Sequence, residues 1–378
     1  MFGNHRNGGG NDGGNDGGND GNKAPETKTA PQSPPDAAAN PAPNPNGEAK
    51  PLQMSAPPKI GLALGSGLAR GFAHIGVVRA LKRHGIVPTV VSGTSMGALV
   101  GGAYLANKLD NVEEWAYSLT RAKVLSYLDF NRGVLMGAGG IIGGEKLVKL
   151  MLENFGDIRA EELLYPFIAI ATDLVTGHEV WLRRGRLVDV MRASFSLPGI
   201  FPPVPFNGRW LIDGALVNPV PVSACNAGGA RMTIAVNVNG DIIGKVKRPG
   251  DKVPTVAGFD LLNVAGPHAE EAKKSGLINR IFKREADHPS VFGVMISSLN
   301  IVQDRLSRSR LAGDPPDVLI TPRIGHIGLM EFDRAEELIA EGEAAVERAV
   351  PDIKAAYAVL CTEYNEAEEA AMPEGYKP

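Results

Sequence analysis

The chain lacks most of what would staple it, anchor it in a bilayer or draw it to nucleic acid. Only two cysteines, Cys225 and Cys361, occur in 378 residues. They lie far apart and form no metal or redox motif, so two reduced thiols in a cytoplasmic protein are expected. No apolar run reaches the roughly 18 residues of a membrane span. The opening Met1-Phe2-Gly3-Asn4-His5 lacks the basic-then-apolar order of a secretory signal. Lysine and arginine number 39 against 42 acidic residues, a net charge of -3. With a pI near 6.2, no global basic field invites nucleic acid. Histidine is scarce, at seven residues, and this bears on the catalytic reading below.

What is present falls into unequal parts. Residues 1–57 are low complexity: Asn11-Asp12-Gly13-Gly14 repeats as Asn15-Asp16-Gly17-Gly18, and a Pro/Ala/Asn stretch follows. Such a segment buries too little to offset its ordering entropy and reads as a disordered tail. A calcium-binding β-roll would need spaced apolar residues that these repeats lack. Residues 58–360 suffice for one large α/β domain, and 361–378 form an acidic C-terminal tail.

The domain opens with an apolar run, Ile60-Gly61-Leu62-Ala63-Leu64, that reads as a buried strand. A glycine loop, Gly65 to Gly71, follows. Residues 72–84 then place Ile75, Val78 and Leu81 at helical spacing, with Gly85 as the stop. Val87, Val90 and Val91 mark the end of a second buried strand, and a helix rich in glycine and alanine starts at Met96. A β-α-β-α opening favours a parallel sheet with both glycine turns on one edge. Further on, helices are expected over 111–120, 145–154, 294–311 and 334–357, with a glycine-rich link at 133–144. Strands are expected over 167–173, 179–182, 210–213, 231–237 and 318–320.

Gly93-Thr94-Ser95-Met96-Gly97 is the most informative stretch. A G-x-S-x-G turn between strand and helix thrusts its serine out of the backbone at a helix N-terminus. There the positive end of the helix dipole favours developing negative charge. Gly93 and Gly97 allow strand and helix to pack closely. The bland alternative is a serine that simply caps the helix.

An acyl-transfer hydrolase also needs a proton acceptor and oxyanion donors. Small residues in the glycine loop (Gly65, Ser66, Gly67, Leu68, Arg70, Gly71) let successive N–H groups converge. Arg70 reads equally well as steadying the loop or its anion, or as a charge paired at a helix start. No histidine has a convincing context for a Ser-His-Asp triad. His74 lies near the loop but reads as a packed helix residue, and His288 precedes Pro289 in a loop. An aspartate base is the better candidate: Asp213 ends an apolar strand, and Gly214-Ala215 lets the chain turn away and leave the carboxylate accessible.

These motifs, in this order, resemble the patatin-like phospholipases, and most closely the bacterial branch related to the patatin domain of neuropathy target esterase. The resemblance spans roughly residues 59–357. It rests on the glycine loop ending in Arg70-Gly71, the G-x-S-x-G at Ser95, and Asp213-Gly214-Ala215. The stretches 69–76, 194–203, 218–222 and 312–317 extend it. It implies a three-layer α/β/α sandwich on a mostly parallel sheet, with Ser95 and Asp213 as a Ser-Asp dyad. It further implies oxyanion amides around Gly67 and hydrolysis of lipid carboxyl esters, such as lysophospholipids or monoacylglycerols, without cofactor or metal. Ser66 and Leu68 stand where the family commonly has glycine. A Leu68 side chain pointing outward would leave its N–H free to donate.

Two rivals stand beside this reading. A dinucleotide site fails because the third glycine is displaced to Gly71 and no acidic residue follows the second strand. A weakly active or inactive scaffold on the same fold differs from an active hydrolase only in its chemistry. The basic stretch from Lys245 to Arg284, including Lys273, Lys274 and Lys283, reads first as a solvated face. Its alternative is peripheral contact with an anionic membrane, at the inner surface for a cytoplasmic protein. Oligomeric state is not legible.

Overall fold

The computed structural model describes residues 58–120, 123, 145–241 and 291–371. The low-complexity segment 1–57, the link 133–144 and the basic stretch 245–284 lie outside the described residues.

Among the described residues the sheet has eight strands. They are β1 (Ile60–Leu64), β2 (Val90–Thr94), β3 (Phe167–Asp173), β4 (Glu179–Leu182), β5 (Val204–Phe206), β6 (Arg209–Asp213), β7 (Met232–Val236) and β8 (Val318–Ile320). The pairs β1–β2, β1–β7, β2–β3 and β7–β8 are parallel, whereas β4 and β6 run antiparallel to β3. β5 completes a small antiparallel wing by pairing with β6. The described α-helices are α1 (Ala73–Arg83), α2 (Met96–Leu105), α3 (Leu109–Tyr117), α4 (Glu145–Phe155), α5 (Leu187–Ser194), α6 (Val222–Ala227), α7 (Val291–Gly313) and α8 (Ala335–Ala371).

Alternation along the parallel strands explains the layers. Leu62, Leu64, Val91, Ile234 and Val236 enter a large core with α1, α2, α5 and α8. Ala63, Val90 and Ala235 face the other way, onto Val220, Val222 and Cys225 around α6. The result is the expected α/β sandwich: helices, a mostly parallel sheet, helices.

Some expectations shift. Val87 precedes β2 and is 47% exposed rather than buried. α5, β5 and α6 lie where no element is expected. The last helix runs past Cys361, where an acidic tail was expected, to Ala371.

One register positions everything that follows. On β3, Ile170 faces Thr94 of β2, and the next residue, Ala171, faces Asp213 of β6. β4 occupies the opposite edge of β3 over residues 169–172. β2 and β6 therefore meet end to end along a single edge of β3, one arriving parallel and the other antiparallel.

Candidate active site

The meeting point of those two strands brings Ser95 to Asp213. β2 ends at Thr94, whose hydroxyl donates to the carbonyl of Asn218 at 2.8 Å. Ser95 then takes φ 57° and ψ -121°, a left-handed conformation that costs a non-glycine residue on the order of 1–3 kcal/mol. Its surroundings hold it there. The Ser95 N–H donates to Oγ of Ser194 at 3.0 Å, and that hydroxyl donates to the Ile170 carbonyl at 2.6 Å. Ser194, the last residue of α5, thus ties the elbow to β3.

Close approach accounts for the elbow glycines. A Cβ on Gly97 would overlap the carbonyl oxygen of Leu64, and one on Gly93 would lie 2.5 Å from the Gly97 carbonyl. Ser95 is only 3% exposed and Asp213 1%. Ser95 Oγ donates to Asp213 Oδ2 at 2.7 Å, while Oδ1 accepts the Ala215 N–H at 2.8 Å. The backbone of Asp213 is fixed on both sides: its N–H donates to Ser196 O at 3.0 Å, and its carbonyl accepts from the Thr172 hydroxyl at 2.8 Å. Burial pushes the Asp213 carboxyl up from 3.8 to about 7, against the lowering effect of the hydrogen bonds from Ser95 and Ala215.

The glycine loop lies at the end of the neighbouring strand, β1. Four of its amides already donate: Gly65 to Val236 O, Ser66 to Pro219 O, Ala69 to Leu329 O and Arg70 to Gly67 O, at 3.0, 2.9, 3.0 and 3.0 Å. Among the described residues, the amides of Gly67 and Leu68 donate to no acceptor. Leu68 takes φ 47°. Its side chain does not point outward but lines the cavity beside Ser95.

Arg70 serves the loop. Its Nε donates to the Ile327 carbonyl at 2.7 Å, and the neighbouring Ala69 N–H donates to Leu329 O at 3.0 Å. The two bonds tie the back of the loop to the segment just before α8. Burial draws the Arg70 guanidinium down to about 10, with Glu331 and Asp241 opposing that shift. His74 is the packed helix residue the sequence suggested. It is fully buried, its Nε2 lies 2.7 Å from the Gly65 carbonyl, and burial lowers it to about 4. It is neutral at ordinary pH, with Nε2–H as the donor that pins the loop's first residue. His84 and His326 pair with Glu347 and Glu337 on the surface.

Several contributors had no mark in the sequence. Asn239 Nδ2 donates to the Ser66 carbonyl at 2.9 Å, and the Ser66 hydroxyl donates to Gln303 at 3.3 Å. Ser95 opens onto a cavity of ≈ 100 Å³ whose other walls are all apolar. They include Leu68, Met96, Leu99, Trp115, Phe195 and Phe332. Phe72 stacks edge-on to Trp115 and Phe332, at 5.8 and 6.0 Å, and braces that wall. Such a lining takes hydrocarbon and rejects a charged headgroup.

Among the described residues, no cluster of His, Cys, Asp and Glu could hold a metal ion. No helix among them is long and apolar enough to cross a membrane.

Comparison with known proteins agrees with this geometry. The family model for patatin-like phospholipases matches residues 62–225, a span holding the glycine loop, the elbow and Asp213. An uncharacterized NTE family protein of Mycobacterium tuberculosis is 34% identical over 338 residues, covering 78% of this chain and 92% of its own length. A neuropathy target esterase of Drosophila melanogaster is 33% identical over 186 residues, 47% of this chain and 13% of that protein. A lysophospholipase of Meyerozyma guilliermondii is 27% identical over 288 residues, 75% of this chain and 18% of that protein. Nearly full-length similarity to the mycobacterial protein places the chain in the NTE branch of the patatin-like phospholipase family, a family of lipid carboxylic ester hydrolases.

Proposed function

We propose that the chain hydrolyses the carboxyl ester of a single-chain lipid, of the lysophospholipid or monoacylglycerol class, through a Ser95–Asp213 dyad. The observation that carries this reading is the 2.7 Å hydrogen bond from Ser95 Oγ to Asp213 Oδ2 at the wall of an apolar cavity. That spacing suits direct proton transfer.

In the acylation step, Ser95 Oγ attacks the ester carbonyl carbon and its proton passes to Asp213 Oδ2. The oxyanion is held by the Gly67 and Leu68 amides. Collapse breaks the ester bond, and the departing alkoxide takes the proton back from Asp213. Water then attacks the acyl-serine, losing its proton to Asp213; the acyl–Oγ bond breaks, Ser95 Oγ takes that proton back, and the fatty acid leaves. A carboxyl titrating near 7 is well matched to both halves, since it can accept and return a proton at neutral pH. Two oxyanion donors are worth roughly 3 kcal/mol each in acyl transfer, so the loop carries much of the rate.

The test is fluorophosphonate labelling of the full chain with peptide mapping, beside Ser95→Ala and with lysophospholipid turnover on the same preparations. The expected result is one adduct, on Ser95, and turnover lost with that serine. Folded protein that takes no adduct and turns over no lipid would instead be an inactive patatin-fold scaffold.

A further inference from the structure

Large apolar side chains gather at the outer end of the antiparallel wing. Val175 is 81% exposed, Trp210 52% and Leu174 49%. Leu174 and Val175 form the turn between β3 and β4. The Leu174 N–H donates to the Trp210 carbonyl at 2.8 Å, which continues the β3–β6 ladder one step beyond Asp173 and Leu211 and sets Trp210 beside the turn.

The turn does not need these residues. Asp173 builds it: Oδ1 accepts the N–H groups of Val175 and Thr176 at 3.0 and 3.1 Å, and the Gly177 N–H closes it onto the Asp173 carbonyl at 2.8 Å. Polar residues ordinarily fill such positions. A scattered exposed leucine needs no explanation, but three large apolar groups on adjoining backbone at a protruding tip do.

Their placement relative to the dyad is fixed by register. Thr94, just before Ser95, faces Ile170, and Leu174 follows four residues later, one past the end of β3. At about 3.3 Å per residue the tip stands roughly 13 Å beyond the level of Thr94. It overhangs the end of the sheet at which Ser95 and its apolar cavity lie.

One arginine stands at the tip. Arg209, next to Trp210, is exposed and reaches Asp173 at 3.4 Å. The nearby carboxylates are matched: Asp173 by Arg209, and Glu179 by Arg310 at 3.1 Å.

We propose that this hairpin end docks the protein on a lipid bilayer. Leu174, Val175 and Trp210 enter the headgroup boundary, and Arg209 faces lipid phosphate. The inference rests on the lipid-hydrolase reading and names how that site meets its substrate. Tryptophan beside arginine around an aliphatic tip is the composition of a bilayer interface. A narrow convex tip also offers little of the roughly 1,000 Å² that a stable protein partner would need.

The experiment uses the full chain and vesicles of phosphatidylcholine with phosphatidylglycerol. Co-sedimentation is compared for wild type, Val175→Asp, and Val175→Asp/Trp210→Ser. The single variant, at a freely exposed tip, keeps the test sound should the double variant unfold. Turnover of the water-soluble ester p-nitrophenyl butyrate is read on the same samples. The expected result is partition weakened by about tenfold or more, with soluble-ester turnover unchanged. Unaltered partition in the variants, or a wild type that ignores the vesicles, overturns the proposal. So does a variant that splits a dimer without changing partition, which would assign the tip to a second copy of the chain. Failure of wild-type soluble-ester turnover strikes the hydrolase reading instead, while the sedimentation result still decides the docking.

Discussion

The elbow at 93–97 and the glycine loop at 65–71 both follow parallel strands, and in both a residue other than glycine takes the left-handed conformation, Ser95 at φ 57° and Leu68 at φ 47°. They differ in what surrounds them. The elbow is wedged against main chain: a Cβ on Gly97 would meet the Leu64 carbonyl, and one on Gly93 would meet the backbone of Ala98. The loop is mixed: a Cβ on Gly65 would lie 2.8 Å from the Val236 carbonyl, whereas one on Gly67 would meet first a methyl of Val238. Backbone cannot be shortened by substitution, whereas a valine can. The elbow is therefore fixed throughout by the architecture, while the loop is fixed at its start and can give at Gly67.

The largest effect that tests this contrast is Gly97→Ala. We expect a loss of stability on the order of 4 kcal/mol or more, seen as insoluble protein or a collapsed melting transition by circular dichroism. A folded variant that still takes a fluorophosphonate would break the comparison. Next comes Asp213→Asn, which preserves the shape at the end of β6 and removes the proposed base. Turnover should fall by roughly 10²–10⁴. In the wild type, kcat/KM should climb with pH and level off above about 7, because the reaction needs the carboxylate. A profile flat down to pH 5 would contradict the assignment.

The same residue gives a stability signature of opposite sign. Its carboxyl is raised in the fold, so its contribution is full below about 3.8 and is lost as pH rises through about 7. Asp213→Asn should therefore melt later than wild type above pH 7, by roughly 1–3 kcal/mol. The gain is limited because the amide NH₂ must face either the Ser95 hydroxyl or the Ala215 N–H. Chemical denaturation at pH 5 and pH 8 separates the two cases.

Smaller again is Gly67→Ala, expected to cost about tenfold in kcat with modest loss of stability. Val238→Ala in the same chain should restore most of it by removing the methyl that the new Cβ meets. No rescue would mean that the loop is as rigid as the elbow. Smallest is Leu68→Gly: relief of the left-handed strain should offset much of the lost packing, leaving stability within about 1 kcal/mol. The lost cavity wall should appear as a weaker preference for long acyl chains in a chain-length series.

The parallel half of the sheet was legible because its strands are short apolar runs bounded by glycine. β1 and β3 fall where the pattern places them, as do β4 and β8. The elbow and Asp213 were legible because their chemistry depends on local turns. α5 went unread although Leu187, Val188, Val190 and Met191 have helical spacing, because it is short and sits among turn residues. β5 is three residues long and contains Pro205. The supports of the site were beyond reach for another reason. Ser194 reaches Ser95 across 99 residues, and Gln303 reaches Ser66 across 237. No local pattern records a contact of that span. The outward Leu68 was a misreading of the same kind, since its direction is set by a cavity assembled from distant helices.

The end-to-end meeting of β2 and β6 on β3 has a consequence for the precision of the proposed dyad. The separation of Ser95 and Asp213 is set by the step between two neighbours, Ile170 and Ala171, as on a ruler with adjacent marks. Breathing of the outer helices, or sliding of the sheet's far strands, carries both marks together and leaves their spacing alone. Loops and cavity walls can then shift while one strand's pitch keeps the spacing of Ser95 and Asp213 constant.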